Sequence, residues 1–187
     1  MNLIFTCGGT GGHINPAIAV ANIMRERYPD ANILFIGAKG HMEEQLVPKA
    51  GFALKCLNVA GLSRGKNFSA IKKNVKTVAD TVKAVSECKK IIREFQPDVI
   101  LGTGGYACFP ALMAGSSMGV PTCVHESNAI PGLTTKLLSG RVDKVMVAFA
   151  ESAKHYRNPE RIETVGMPVR REFIYTDRKA AREELGI

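Results

Sequence analysis

Short apolar runs alternate along this chain with longer segments of mixed polarity. Apolar runs bounded by glycine and polar residues are typical of buried strands, and apolar residues repeating every three or four positions are typical of helices. The predicted strands are 2–7, 32–37, 52–59, 98–102, 121–126, 144–149 and 161–166. The predicted helices are 14–29, 42–51, 69–95, 109–119 and 131–139. Strands separated by helices indicate βαβ units, so we predict an α/β fold with a parallel sheet covered by helices on both faces.

Two glycine-rich segments each follow a predicted strand and precede a predicted helix. The first is GGTGGH, residues 8–13, with Asn15 as the predicted N-cap and Pro16 as the first helical residue. The second is GTGGY, residues 102–106, in which Tyr106 either contacts a ligand or only packs. Carboxyl ends of parallel strands meet at one sheet edge, where ligands bind and where helix N-termini attract anions. For the first segment, the alternative is a tight turn without a ligand.

His13 closes the first glycine segment and is the first candidate for acid–base chemistry. A histidine titrates near neutrality, so it can accept the proton of an attacking hydroxyl or polarise a phosphate. The alternative is a structural histidine that caps or packs against the helix. The segment is not a dinucleotide fingerprint, because G-x-G-x-x-G needs a glycine where His13 or Ile14 stands.

The segment HESNAIPG, residues 125–132, follows strand 121–126 and is expected at the same edge. Polar side chains on loops of a rigid scaffold often bind ligands. Glu126 is a candidate base or an acceptor for a sugar hydroxyl, and Asn128 can both donate and accept. Capping of the next helix by Ser127 or Asn128 is the alternative.

The charge distribution favours an anionic partner. The chain carries 25 Lys and Arg against 17 Asp and Glu, a net charge of +8, and no acid occurs between Gln45 and Ala79. Apolar side chains surrounded by basic residues are suited to binding the surface of an acidic bilayer. The predicted membrane-contacting residues are Leu62, Arg64, Lys66, Phe68, Ile71, Lys72, Val75 and Lys76. A solvated helix face with core residues is the alternative, and nucleic acid is not favoured because no recognised binding motif occurs.

The apolar residues of segment 69–95 recur at helical spacing and define one face. They are Ile71, Val75, Val78, Val82, Val85, Ile92 and Phe95.

The N-terminus has no signal-peptide pattern, and no apolar run approaches the roughly 20 residues of a membrane span. Five cysteines without a CxxC pair predict reduced thiols, a cytoplasmic protein and no metal site. The segment GMPVRR, residues 166–171, contains Arg170 and Arg171. We expect these arginines to contact a phosphate or an interdomain cleft. The alternative is that they are charged residues of a linker without a binding role.

The ordered set GGTGGH, GTGGY, HESNAIPG and GMPVR resembles the N-terminal half of the MurG family. That family transfers N-acetylglucosamine (GlcNAc) from UDP-GlcNAc to lipid I, undecaprenyl-pyrophosphoryl-N-acetylmuramoyl (MurNAc)-pentapeptide, and forms lipid II in peptidoglycan synthesis. The resemblance covers essentially the whole chain, although the family often has Gln at Ser127 and Asn at Met167. It implies the N-terminal half of a GT-B fold, in which two Rossmann-like domains face a cleft. Residues 1–166 are then the acceptor-binding domain, and 167–187 are the linker and the start of a missing donor-binding domain.

The resemblance also implies roles for individual residues. The reaction is inverting and needs no metal or cofactor, and His13 is the first choice for the base, with Glu126 second. Some residues match family positions that lie near the donor sugar nucleotide. They are Thr10, Gly11, Gly12, Asn128 and Arg170. Positions matching the loop that faces the acceptor diphosphate are Gly104, Gly105 and Tyr106. The stretch 61–76 matches the membrane contact, which implies a peripheral location on the cytoplasmic side of the bacterial inner membrane.

Two alternatives stay open beside a transferase half. One is a non-catalytic subunit of a split GT-B transferase, which binds the acceptor and recruits its partner to the membrane. The anchoring chain of such a pair is expected to carry an N-terminal transmembrane segment, which this sequence does not show. The other is an NAD-dependent dehydrogenase domain, which is disfavoured because the fingerprint and an acidic residue at the end of strand 32–37 are missing.

Overall fold

The structure, a computed structural model, describes residues 1–63, 65, 67–171, 174 and 177–187. The predicted membrane contacts Arg64 and Lys66 therefore lie outside the described residues. The strands are β1 (Asn2–Thr6), β2 (Asn32–Ala38), β3 (Ala53–Leu57), β4 (Val99–Gly102), β5 (Thr122–Glu126), β6 (Lys144–Val147) and β7 (Ile162–Thr164). The helices are α1 (Gly11–Arg27), α2 (Glu43–Lys49), α3 (Phe68–Phe95), α4 (Cys108–Ser117), α5 (Leu133–Leu138) and α6 (Arg178–Leu185). Two short 3-10 helices, Ala150–His155 and Pro159–Arg161, connect β6 to β7.

The seven strands form one parallel sheet in the order β3-β2-β1-β4-β5-β6-β7, with helices on both faces. This confirms the predicted α/β, Rossmann-like fold. Side chains alternate along a strand, so β1 sends Leu3 and Phe5 into the core beneath α1 and α2. Ile4 enters the opposite core, beneath α3, α4 and α5. Burial on both faces explains why the strands read as continuous apolar runs.

Helix α1 begins at Gly11, three residues before the predicted range 14–29, and Pro16, predicted as the first helical residue, lies inside the helix. Thr10 has extended backbone angles, and its carbonyl accepts the N–H groups of His13 and Ile14 at 3.0 and 3.1 Å. Thr10 is therefore the N-cap, and the prediction of Asn15 in that role is wrong. The earlier start places the last glycines of the first segment in the first helical turn, with their N–H groups at the positive end of the helix dipole.

The predicted apolar face of α3 is divided between core and solvent. Five residues form an exposed band along the N-terminal half of the helix, which we call the apolar stripe. They are Phe68, Ile71, Val75, Val78 and Val82. The buried face is formed instead by Ala70, Thr77, Ala84, Cys88, Ile91 and Ile92. Four of these six buried side chains are small, and the two large ones, Ile91 and Ile92, lie near the C-terminal end of the helix.

The chain leaves the sheet after β7. Helix α6 is capped by Asp177, whose side chain accepts two backbone N–H groups, but none of its residues is buried. A domain boundary at residue 166 stays a prediction. Within the described parts of the chain, no helix combines the length and the apolar composition needed to cross a bilayer.

Candidate active site

The strand order reverses between β1 and β4, which are neighbours at the centre of the sheet. In open parallel sheets, the crevice beyond the carboxyl ends of two such strands is the usual place for a ligand. The first glycine loop, residues 7–10, follows β1, and the second glycine loop, residues 103–107, follows β4. Both loops thus meet at this crevice, as the sequence predicted.

The two glycine loops pack directly against each other. Gly105 has a φ of +81°, and a Cβ at this position would collide with the carbonyl oxygen of Gly8. A Cβ at Gly8 would in turn collide with the Cβ of Ala107. Gly104 has a φ of +99°, and its Cβ would lie 2.7 Å from Nδ1 of His13. The contact between the loops therefore requires these glycines, whether or not a ligand is bound.

Two hydrogen bonds hold His13 against the second glycine loop. Its Nδ1 lies 3.0 Å from the carbonyl oxygen of Thr103, and the Thr103 hydroxyl donates to the carbonyl oxygen of His13 at 2.6 Å. A carbonyl oxygen can only accept, so Nδ1 carries the proton. Nε2 is then the basic nitrogen of the neutral ring. Because His13 is half-buried, this nitrogen is suited to accept a proton at the crevice.

The first turn of α1 offers backbone donors beside His13. Gly11 and Gly12 occupy positions whose N–H groups have no acceptor within a helix. The Thr10 side chain makes no capping bond to them. A Cβ at Gly12 would meet only the Thr10 hydroxyl oxygen, at 3.7 Å, so packing does not require this glycine. Such open N–H groups at a helix N-terminus suit an anion such as a phosphate.

Tyr106 lies over the first glycine loop. Its ring would be 3.2 Å from a Cβ on Gly9 and 3.3 Å from one on Gly61. Its hydroxyl lies 2.9 Å from Nε2 of His41. Burial and the nearby charge of Glu43 raise the pKa of Tyr106, so the hydroxyl stays protonated at neutral pH. Packing is thus part of its role, and contact with a ligand stays a prediction.

Glu43 is a central residue of this site that sequence reasoning missed. It is fully buried, and its Oε1 accepts the N–H groups of Gly9 at 3.0 Å and Ala38 at 3.2 Å. As the first residue of α2, it lies where the helix dipole favours a negative charge. In the sequence it reads as one of two acids in an ordinary first turn. The available signal was its position just after a strand that ends at the ligand-binding edge.

Glu126 organises the loop after β5. Its Oε1 accepts the backbone and side-chain N–H groups of Asn128 at 3.0 and 2.7 Å, and its Oε2 accepts the N–H of Gly132 at 3.0 Å. The carboxylate is buried, while Asn128 is exposed. Helix α5 begins only after Gly132, so the alternative that Ser127 or Asn128 caps this helix is wrong.

His125 joins the end of β5 to the segment after β7. Its Nε2 lies 2.9 Å from the carbonyl oxygen of Gly166, and the Ser127 hydroxyl oxygen lies 3.4 Å from its Nδ1. Burial lowers the pKa of His125, although the Gly166 carbonyl and the charge of Glu126 act in the opposite direction. Beside His125 is a largely apolar cavity of about 250 Å³. It is also lined by Val20, Leu101, Thr103, Met146, Val165, Met167 and Pro168.

The two arginines of GMPVRR lie just beyond this anchor. Arg170 is half-buried, and its predicted contact with the donor stays a prediction. Arg171 is exposed and its guanidinium lies 3.1 Å from a carboxylate oxygen of Glu26 on α1. An exposed ion pair of this kind contributes little stability.

Most of the cysteines are packing residues rather than nucleophiles. Burial raises the pKa of Cys88, Cys108 and Cys123 to about 12 and that of Cys7 well above its ordinary value. The thiolate is the reactive and metal-binding form, so these thiols are inert at neutral pH. Among the residues that the structure describes, no group of three or more His, Cys, Asp or Glu is arranged to hold a metal ion.

Known proteins share this arrangement of strands and loops. Residues 3–147 match the glycosyltransferase family 28 N-terminal domain, a span that contains both glycine loops and the loop after β5. The chain belongs to this family. It spans about half the length of the curated relatives it matches.

Two of these relatives are similar over the whole of this chain. The one from Acetivibrio thermocellus is 40% identical over 187 residues, which are 100% of this chain and 50% of the relative. The one from Thermoanaerobacter sp. strain X514 is 42% identical over 186 residues, again 100% of this chain and 50% of the relative. Both are named UDP-N-acetylglucosamine–N-acetylmuramyl-(pentapeptide) pyrophosphoryl-undecaprenol N-acetylglucosamine transferase.

Solved structures agree on the fold. Acinetobacter baumannii MurG is similar with a TM-score of 0.71 at 22% identity, over 95% of this chain and 50% of that protein. A Staphylococcus aureus protein solved with UDP, MnaA, is similar with a TM-score of 0.66 at 16% identity, over 90% of this chain and 46% of that protein. At these identities the likeness establishes the fold alone.

Proposed function

We propose that this domain is the acceptor-binding half of an inverting transferase that moves GlcNAc from UDP-GlcNAc to lipid I. Relatives 40% and 42% identical over the whole chain carry the name of that enzyme. The observation that carries the proposal is the pairing of His13 with Thr103, which leaves a basic nitrogen beside a helix N-terminus in the central crevice.

His13 acts as the general base in this proposal. The C4 hydroxyl of the MurNAc unit attacks the anomeric carbon of GlcNAc, the bond to UDP breaks, and UDP leaves with the bonding electrons. The hydroxyl proton passes to Nε2 of His13. The Nδ1–H group of the resulting imidazolium donates to the Thr103 carbonyl, 3.0 Å away, which stabilises the charge.

Glu126 is the weaker candidate for the base. Its two oxygens already accept three N–H groups from its own loop, and protonation would disrupt those bonds. We assign Glu126 the role of holding Asn128 at the edge of the crevice, where the exposed amide of Asn128 can contact the donor.

The donor and the acceptor use different glycine-rich segments, GGTGGH and GTGGY. The open N–H groups of Gly11 and Gly12, with the exposed Thr10, suit the donor diphosphate. In the second loop, the space beside Gly104 and Gly105 is filled by His13 and Gly8. Tyr106 is the residue of that loop whose side chain can donate to the acceptor diphosphate.

The apolar stripe supports a membrane-bound acceptor. Lys72, Lys76 and Lys83 are spaced by four and seven residues, so they follow one flank of the stripe. Two hydrogen bonds between Asn74 and the backbone of Ser63 tie the preceding segment to α3, next to the exposed Leu62. Gly61 of that segment packs against Tyr106. The stripe thus adjoins the loop that we assign to the acceptor, as peripheral binding to an anionic inner membrane from the cytoplasmic side requires.

Transfer activity tests the proposed reaction. We would join this chain to the C-terminal half of the Thermoanaerobacter relative, giving a two-domain chimera, and assay GlcNAc transfer from UDP-GlcNAc to a lipid I analogue. The relative itself is the positive control. We expect transfer by the chimera and little by this chain alone. A folded chimera without transfer would favour the non-catalytic recruitment subunit and overturn the proposal.

Vesicle binding tests the membrane surface separately. We expect this chain to co-sediment with vesicles containing phosphatidylglycerol and to be released by salt. The double variant Lys72→Gln/Lys76→Gln should bind about tenfold or more weakly, since each basic residue near an anionic surface contributes about 1 kcal/mol. The charge-matched control is Lys136→Gln/Lys144→Gln, at exposed positions away from α3. Equal losses in both variants would show a general charge effect and contradict the assigned surface.

A further inference from the structure

We infer that His41, just before α2, and Glu43, its first residue, form a clamp that fixes the position of one glycine loop relative to the other and thereby positions the general base. Neither His41 nor Glu43 belongs to the residues assigned above to a substrate. The inference rests on the proposed function for its consequence in catalysis, but the clamp itself is a property of this domain.

Glu43 is the contact of the clamp with the first glycine loop. Its Oε1 accepts the Gly9 N–H at 3.0 Å and the Ala38 N–H at 3.2 Å, so one oxygen ties the loop to the end of β2. Gly37 makes room for it, because a Cβ there would lie 3.0 Å from the Cβ and Cγ of Glu43. A fully buried carboxylate is costly, and one that accepts two backbone donors fixes those donors firmly.

His41 is the contact with the second glycine loop. Its Nε2 lies 2.9 Å from the Tyr106 hydroxyl, and the two rings meet edge to face with centroids 5.8 Å apart. The Tyr106 ring in turn packs over Gly9. The contacts therefore close a circuit from Glu43 to Gly9, from Gly9 to Tyr106, and from Tyr106 back to His41.

This circuit has a direct consequence for His13. The second glycine loop supplies the Thr103 carbonyl that sets the His13 tautomer, and Gly104 of the same loop packs against the imidazole ring. A shift of one loop relative to the other would move Nε2 away from the reacting hydroxyl. Displacements of about 1 Å are enough to cost a reaction about 100-fold. We therefore assign Glu43 and His41 as positioning residues.

Amide hydrogen exchange measured by NMR on this 187-residue chain tests the clamp without any assay of activity. For Glu43→Ala, we expect the exchange of the Gly9 and Ala38 amides to rise about tenfold or more, with smaller increases at Thr103 and Cys108, whose N–H groups are hydrogen-bonded. Glu43→Gln keeps an acceptor oxygen and should restore most of the protection. Glu44→Gln, which changes the exposed neighbouring acid, is the matched control.

His41→Ala covers the case in which Glu43→Ala does not fold, since His41 is exposed. We expect exchange at Gly9 to rise about threefold to tenfold because the Tyr106 ring loses its anchor, and His155→Ala at another exposed position should change nothing. Unchanged exchange at Gly9 in His41→Ala, or effects of Glu43→Gln as large as those of Glu43→Ala, would overturn the clamp.

The catalytic consequence is measured in the two-domain chimera. We expect Glu43→Ala to lower kcat about tenfold with a much smaller change in KM, and His41→Ala replaces it if Glu43→Ala does not fold. Glu43→Gln should keep kcat within about threefold of the unsubstituted chimera. A lowered exchange barrier with an unchanged kcat would overturn the positioning role. An inactive unsubstituted chimera would count against the proposed function, whereas the exchange results would still decide the clamp.

Discussion

The unit of β1, the first glycine loop and α1 shares its sequence layout with the unit of β4, the second glycine loop and α4, yet the two helices begin differently. In α4, the N–H groups of Cys108 and Phe109 are bonded to the carbonyls of Gly105 and Tyr106. In α1, the first two N–H groups lack acceptors within the helix. The second loop folds back on itself and fills the space beside the first. The second glycine loop is therefore a structural support, whereas the first turn of α1 keeps two backbone N–H groups that have no acceptor in the helix.

Alanine substitution in the second glycine loop and in the first turn of α1 gives the sharpest test of this difference. Gly105→Ala should destabilise the domain by about 3 kcal/mol or more, because the residue has a positive φ and its Cβ meets the Gly8 carbonyl. Gly12→Ala should leave stability unchanged or raise it by up to about 1 kcal/mol, because alanine favours the helix. Urea unfolding of both variants measures this, and equal destabilisation would contradict the difference between the second glycine loop and the first turn of α1.

Gly12→Ala should nevertheless affect catalysis in the two-domain chimera. A methyl group beside the open N–H groups hinders a close approach by phosphate, so we expect a raised KM for UDP-GlcNAc.

Removal of the imidazole at the start of α1 should have the next largest effect. In the chimera, His13→Ala should lower kcat about 100-fold or more, equivalent to about 2.7 kcal/mol, because the proton acceptor is lost. Tyr106→Phe, in the second loop, should lower kcat much less, because it loses the hydroxyl contacts with His41 and the acceptor but keeps its packing. A normal kcat with a raised KM for His13→Ala would make His13 a binding residue.

The hydrogen bond between Thr103 and the His13 carbonyl, which joins the two units, can be removed without substituting His13. Thr103→Val removes the hydroxyl that donates to the His13 carbonyl at 2.6 Å, and we expect a loss of about 1 to 2 kcal/mol of stability. Thr103→Ser keeps the hydroxyl and should lose clearly less. Urea unfolding of the pair decides this, and a stability of Thr103→Val equal to that of the unsubstituted chain would show that the hydroxyl bond contributes nothing.

His125, near the end of β5, should have the smallest effect on stability, and unlike His13 it is not proposed as a base. Burial lowers the pKa of His125 in the folded protein, so the unfolded chain binds its proton first as the pH falls. Stability should therefore be constant above about pH 6.5 and decrease below it, by at most about 1.4 kcal/mol per pH unit from this group. His125→Gln should flatten this part of the stability curve, measured by urea unfolding between pH 5 and 8 in the same buffer series. An unchanged slope would show that other groups cause the acid sensitivity.

The sequence by itself determined the sheet, its parallel strands and the meeting of the two glycine loops at one edge. It could do so because apolar runs and glycine-rich turns report local backbone preferences, and parallel connections leave little choice of topology. It also singled out His13 and Glu126 as chemical groups. Helix starts were less accurate, since the first turn of α1 contains glycines that a pattern of apolar residues does not register.

Only the tertiary structure decided what those groups do. The tautomer of His13 depends on a carbonyl 90 residues away, and the two oxygens of Glu126 are occupied by a loop whose path its sequence does not specify. The apolar residues of α3 have the same spacing whether they face the core or the solvent, and only the folded chain buries Ile92 while it leaves Val75 and Val82 exposed. Glu43 has no distinguishing sequence pattern, because its role arises from two amide groups that folding brings to one buried oxygen.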